Sequence, residues 1–389
     1  MVTLVIPTIN RSDFIIKYLT YLKNNQFECQ VLIGDSSNEE HYEKTENFIK
    51  NFNCKYEIRQ YLHPNLYPHQ CIQKMLNDVS CPYCMFICDD DILIVDTLKK
   101  CINFLKDNSD YSGVGGVAIG ANLPFDDYDN IVNTWHYRVR AMSGETAVDR
   151  VNDLMSNYRV IAYSLARTEQ FKKRWPTDDR NHDKGIGTEI LPCAVLVAQG
   201  KVEMLDDLFV VRQLHDRRIK LPRPFACILQ SHWAPSTTFA IEYLAKIVAD
   251  TDSITYDKAL QEVKSAWAVF VANGFRDIYN SSLQSGNTSG NRITDSQSSI
   301  KGNNKQEDDW SIREFVKQVP GTRQFVFILR RIKTLLTSRS TGIVEANCVE
   351  MDAKSGKIAL STLLHPSSPY HKDFMPVYEA ITKRPVTSK

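Results

Sequence analysis

Residues 85–92 read Met85-Phe86-Ile87-Cys88-Asp89-Asp90-Asp91-Ile92, an apolar strand that runs straight into three carboxylates. Adjacent carboxylates repel: two unit charges about 4 Å apart cost about 4 kcal/mol at an effective dielectric of about 20. A divalent cation removes that penalty, and hard cations such as Mn²⁺ or Mg²⁺ prefer oxygen ligands. The plain alternative is a solvated acidic turn that caps the next helix. The apolar strand before the triplet favours a site, because ligands of open α/β sheets sit at the carboxyl ends of the strands.

Outward from this stretch, the first 120 residues alternate between two periods. Strands are expected over Thr3–Pro7, Gln30–Asp35, Lys55–Leu62, Tyr83–Cys88 and Val114–Ile119. Helices are expected from Ser12, as cap, through Asn25, and over Glu39–Asn51, Pro68–Val79 and Val95–Asp107. That alternation predicts an α/β fold, a mostly parallel sheet with helices on both faces. Further on, Tyr158–Ser164, Val202–Leu205 and Leu208–Leu214 read as strands, and Gly187–Gln199 and Tyr256–Tyr279 as helices. Residues 1–250 are expected to form the main domain, with a nucleotide-binding half (1–120) and an acceptor half (121–250). A helical extension (251–280), a disordered linker (281–309) and a C-terminal helical region (310–389) follow. Within the last, 312–336 carries Arg323, Arg330, Arg331 and Lys333 among apolar residues. A basic helix at a membrane surface and a helix packed on the main domain both fit it.

Composition narrows the function. The chain has 389 residues, with 47 Lys+Arg against 46 Asp+Glu and a net charge of +1. That balance argues against nucleic-acid binding by bulk charge. No run approaches the roughly 20 apolar residues of a membrane span, and Met1–Pro7 is too short for a signal core. Seven of the 10 cysteines precede residue 102, several inside apolar runs, as buried thiols of a reducing compartment do. The expectation is a cytoplasmic protein, with peripheral contact to the inner membrane as an option. Cys81-Pro82-Tyr83-Cys84 has redox spacing but follows a helix and precedes a strand, the reverse of what lowers a thiol pKa. A zinc site of Cys81, Cys84 and Cys88 lacks a nearby fourth ligand.

Two other strand ends carry chemistry. Val5-Ile6-Pro7-Thr8-Ile9-Asn10-Arg11 closes the first strand with Thr8, Arg11 and backbone donors suited to a nucleotide. It contains neither GxGxxG nor GxxxxGK[ST]. Leu32-Ile33-Gly34-Asp35-Ser36-Ser37 closes the second with Asp35, which can accept from a base N–H or a ribose hydroxyl, although such a sequence is also ordinary turn chemistry.

Together these features resemble the GT-A glycosyltransferases, in particular the family-2-like group, over residues 2–215 and most densely over 2–120. Pro7, Thr8, Asn10 and Arg11 look like that fold's opening loop, and Asp35 stands where it places a carboxylate against the base. Asp89-Asp90-Asp91 looks like its DxD motif, with Asp89 and Asp90 toward the nucleotide and Asp91, helped by Asp89, toward Mn²⁺ or Mg²⁺. Lys74 is where a basic residue reaches the nucleotide. A late histidine would complete the metal or diphosphate site, with His215 first and His232 second. The family's inverting members use a carboxylate base at the start of a helix; here that is Glu189, with Asp183 in reserve. The resemblance implies a metal-dependent transferase that moves sugar from a nucleotide-sugar donor to a glycan or glycolipid acceptor in surface polysaccharide or glycolipid synthesis. A non-catalytic nucleotide-sugar binder and a sugar nucleotidyltransferase are the alternatives.

Overall fold

The computed structural model describes residues 1–124, 127–218, 228, 230–286 and 356–383. Residues 1–277 with 348–389 form one unit; 278–347 form a second, of which only 278–286, a helix end, is described.

Strands β1 (Val2–Thr8), β2 (Gln30–Asp35), β3 (Glu57–Leu62) and β4 (Tyr83–Phe86) form a parallel sheet in the order β3-β2-β1-β4. All of β1 is buried, and its side chains alternate between two cores. Val2, Leu4 and Ile6 meet Phe14, Ile15 and Leu19 of α1 (Ser12–Asn24), while Val5 meets Ile72 and Met75 of α3 (Pro68–Met75). Gly34 of β2 permits α3 to lie this close, since a Cβ there would stand 2.8 Å from Cys71 Cβ. The chain leaves β1 through α1 to β2 and through α2 (Glu39–Asn51) to β3. It returns through α3 to β4, on the other side of β1. Connections therefore diverge between β1 and β4, which makes a topological switch point at their carboxyl ends.

A second sheet holds β5 (Asp91–Leu93), β6 (Tyr111–Asn122), β7 (Asn133–Tyr137), β9 (Lys201–Leu214) and β10 (Gly356–Ile358), in the order β10-β7-β6-β9-β5. Its central pair β6 and β9 is parallel and the outer pairs are antiparallel. Helix α4 (Val95–Asp107) joins β5 to β6, α5 (Ala147–Ser156) follows β7, and the short β8 (Ala166–Arg167), antiparallel to β4, leads into α6 (Thr168–Lys173). Helix α7 (Leu191–Gln199) is buried from Leu191 through Ala198, which explains its lack of a polar face.

The α/β class and the early strand–helix order are as expected, and local differences have physical causes. The predicted strand Tyr158–Ser164 is a loop, held by hydrogen bonds to buried arginines rather than by a ladder. The two strands predicted over 202–214 are one strand, whose register against β6 slips past Asp206 and Asp207. Those two carboxylates, left between the expected strands, sit in a bulge. Ser12 is the first residue of α1, not its cap; its Oγ lies 2.9 Å from His41 Nδ1. Helix α8 (Trp233–Asp252) was not anticipated, and α9 (Tyr256–Gly286) runs into the segment read as a linker. The rest of that linker and 312–336 lie outside the described residues. Helices α10 (Leu360–Leu364) and α11 (His371–Thr382) follow β10, and Phe374, Val377 and Ile381 of α11 are fully buried in the core shared with α1.

Candidate active site

Residues 87–90 carry the chain from β4 in one sheet to β5 in the other, so the acidic triplet is the crossover between the sheets. Asp89, Asp90 and Asp91 are 1%, 4% and 3% exposed, which discards the solvated turn. Each carboxylate has its own partners. Thr8 Oγ1 donates to Asp89 Oδ2 at 2.5 Å. Arg11, itself buried, pairs with Asp89 through Nη2 and donates to Asp90 Oδ2 through Nη1 at 2.7 Å. His215 Nε2 also meets Asp90 Oδ2, at 3.1 Å. Asp91 accepts from the Gln213 backbone N–H at 3.1 Å and from the Tyr163 hydroxyl, and Arg212 Nε lies 3.4 Å from its Oδ2. Strand register makes the last contacts, because Asp91 stands opposite Arg212 in the β5–β9 pair.

The electrostatics follow from burial and charge count. Desolvation raises Asp89 above the usual carboxylate range, with Arg11 opposing and Asp90 adding to it. Burial would raise Asp90 too, but Arg11 and then His215 bring it below that range. Asp91 is raised by burial and then by Asp90, against Arg212. Three buried carboxylates face two guanidinium groups and the ring of His215, and the raised Asp89 and Asp91 mark a site that a further positive charge would stabilise. Among the described residues the ligand atoms of Cys88, Asp90 and Asp91 fall within 4.8 Å of one another. Burial, then Asp90 and Asp91, push the Cys88 thiol up, and the two carboxylates supply oxygen donors. That donor set fits a hard divalent cation.

Pro7 pairs with Gly34 and Thr8 with Asp35, so the ends of β1 and β2 are level. Asp35 is buried and accepts from Ser37 N–H and from Gln60 Nε2. Asn10, at φ 52°, joins the two strand-end loops: its N–H donates to Ser37 Oγ and its Oδ1 accepts from Asn38 N–H. Lys74 is exposed on α3, where its charge acts on His63 just beyond β3.

Glu189 lies in a π-helical turn, Ile186–Ile190, ahead of α7. Its carboxyl is raised by burial, opposed by the charge of Arg212 and by the Tyr158 hydroxyl 3.3 Å from Oε1. Arg212 therefore links Glu189 electrostatically to Asp91. Asp183 is buried at the start of this turn: its Oδ1 accepts from Ile186 N–H at 2.8 Å, and His232 lies 3.5 Å from its Oδ2. His69 packs against Gly187, where a Cβ would stand 2.8 Å from the ring. Tyr163, Arg212 and Gln213 escaped sequence reading. Part of the clue lies in the sequence, since Arg212 and Gln213 stand three and two positions before His215 at the end of an expected strand, but only register reveals what they face.

No family model and no curated protein matches the chain. Solved structures do. S. aureus TarS is 12% identical with a TM-score of 0.42, over 67% of this chain and 42% of that one. The chain thus spans less than half of that TarS structure. TarS 1-349 in complex with UDP-GlcNAc is 12% identical with a TM-score of 0.40, over 73% and 92%. The mannosyltransferase PcManGT from Pyrobaculum calidifontis, in complex with GDP-Man and Mn²⁺, is 13% identical with a TM-score of 0.40, over 73% and 80%. These are loose superpositions.

Proposed function

We propose that this chain is a metal-dependent glycosyltransferase that moves a sugar from a nucleotide-sugar donor to an acceptor hydroxyl with inversion. One observation carries the reading: a buried triplet of carboxylates stands at the switch point between β1 and β4. The residue resemblance to GT-A enzymes agrees with it. Asp91 and Asp90 are the ligands for Mn²⁺ or Mg²⁺ in this reading. Asp89 is engaged by Thr8 and Arg11, and His215 by Asp90. A bound cation neutralises a diphosphate leaving group.

The protein's own groups do the rest. Asp35 and the loop Pro7–Arg11 receive the nucleoside, and exposed Lys74 supplies positive charge beside it. Glu189, its carboxyl raised by burial, is suited to general-base work. It takes the acceptor's hydroxyl proton as that oxygen bonds to the anomeric carbon, and the bond to the diphosphate breaks. Asp183 caps the turn that presents Glu189. Glycans and glycolipids are the acceptor class that the resemblance implies. Among the described residues no helix is long and apolar enough to cross a membrane.

The test is a thermal-shift series with UDP-GlcNAc and GDP-Man, with and without Mn²⁺. Binding at one hundred times Kd adds about 2.7 kcal/mol of stability. Asp91→Asn should lose the metal-dependent part, and nucleoside diphosphate should accumulate only with the parent chain. Binding without release would make the protein a nucleotide-sugar binder; no binding by either donor class would end the assignment.

A further inference from the structure

Two side chains without an assigned role meet the two carboxylates that the proposed reaction uses, and both come from the loop between α5 and β8. Tyr158 OH donates to Glu189 Oε1 at 3.3 Å, and Tyr163 OH donates to Asp91 Oδ2. The rings are set by packing: Tyr158 lies edge-on to Phe270 at 5.1 Å, and Tyr163 is tilted on Phe86 at 5.4 Å. Arg174, 0% exposed, holds the loop from behind. It donates to the carbonyls of Ala162 at 2.7 Å and Ser164 at 3.3 Å, and to that of Pro192 at 3.2 Å. Pro192 belongs to the first turn of α7, directly after the turn that bears Glu189. One buried guanidinium therefore ties the tyrosine loop to the helix that presents Glu189. Arg212 stands at both ends of the arrangement, paired with Asp91, 5.6 Å over the Tyr163 ring, and acting on Glu189 by its charge.

We infer that Tyr158 and Tyr163 are positioning residues: Tyr158 orients Glu189 through Oε1 and leaves Oε2 for the proton, while Tyr163 fixes the ligating orientation of Asp91. The inference rests on the roles given above to Glu189 and Asp91. Tyr158, Arg212 and Cys193 are the titratable groups that act on Glu189. A hydrogen bond to an ionised carboxylate favours that form, so its loss raises the pKa.

Tyr158→Phe and Tyr163→Phe keep the ring packing and remove one hydroxyl each, in the full chain. Mn²⁺ affinity is read by electron paramagnetic resonance with the metal alone. Nucleotide release from the donor, with water as acceptor, is read across pH of about 5 to 9. Tyr163→Phe should weaken Mn²⁺ about tenfold, as the loss of a ligand's hydrogen-bond partner does, with the acidic limb unmoved. Tyr158→Phe should leave Mn²⁺ affinity alone and move the acidic limb of turnover up by about one pH unit. A parent that binds Mn²⁺ and turns over, beside variants that change both readouts alike or neither, would overturn the positioning roles alone. A parent with neither Mn²⁺ binding nor release would overturn the functional reading, and these roles with it.

Discussion

Arg11 donates through Nη1 to Asp90 Oδ2 at 2.7 Å while its Nη2 pairs with Asp89. One guanidinium from the loop after β1 thus clamps two carboxylates of the β4–β5 crossover, and neither partner is more than 5% exposed. Removing one member of a buried ion pair leaves the other uncompensated and costs about 3–5 kcal/mol. Arg11→Met should therefore lower the unfolding free energy by that much, read as a lower urea midpoint at unchanged slope, and saturating Mn²⁺ should recover more stability in the variant than in the parent. An unshifted midpoint would mean that the carboxylates find compensation elsewhere.

Glu189→Gln keeps the shape and the Tyr158 contact but cannot take a proton. Nucleotide release should fall by about 10²–10⁴-fold with donor affinity unchanged, the signature of a lost base. Asp183→Asn should behave differently: its carboxylate caps Ile186, so melting temperature falls and residual turnover is larger. Equal turnover in Glu189→Gln and the parent would move the base to another group.

His69 gives a pH test of the fold. Its ring is fully buried, 3.2 Å from Thr188 Oγ1 and 3.1 Å from the Asn181 carbonyl, and burial lowers its pKa to about 4. The unfolded ring titrates at about 6.5, so below that pH the unfolded chain takes up a proton that the native chain refuses. Stability therefore falls as pH drops from about 6.5 to 4, by about 3 kcal/mol from this group, and is flat above. Urea unfolding of His69→Gln should show a shallower acid slope than the parent over that window; parallel slopes would contradict it.

The C-terminal helix α11 is part of the site's support. Phe374 is fully buried against the core shared with α1, and Lys17 of α1 donates to the Ile381 carbonyl at 3.1 Å and to Asp129 at 3.0 Å. Neighbouring Tyr128 lies edge-on to His215. Phe374→Ala should cost about 3–5 kcal/mol of unfolding free energy, measured by urea denaturation. A loss below about 1 kcal/mol would show α11 to be an accessory rather than an integral helix.

What the sequence determined was local. An apolar run into carboxylates marked the end of a buried strand, and the spacing of Phe14, Ile15, Leu19 and Leu22 marked the face of α1, because both patterns depend only on neighbours along the chain. Tertiary structure decided which groups meet. Asp91 faces Arg212 through antiparallel register, and Tyr158 and Tyr163 reach Glu189 and Asp91 from a loop that Arg174 holds through carbonyls. Asp206 and Asp207 separate two expected strands until pairing with β6 shows a bulge in one. The pairings of Asp91 follow from how the chain passes between the two sheets at residues 87–90. Chain order does not encode that crossing, because loop closure brings together residues more than 100 positions apart at a cost that grows only slowly with separation.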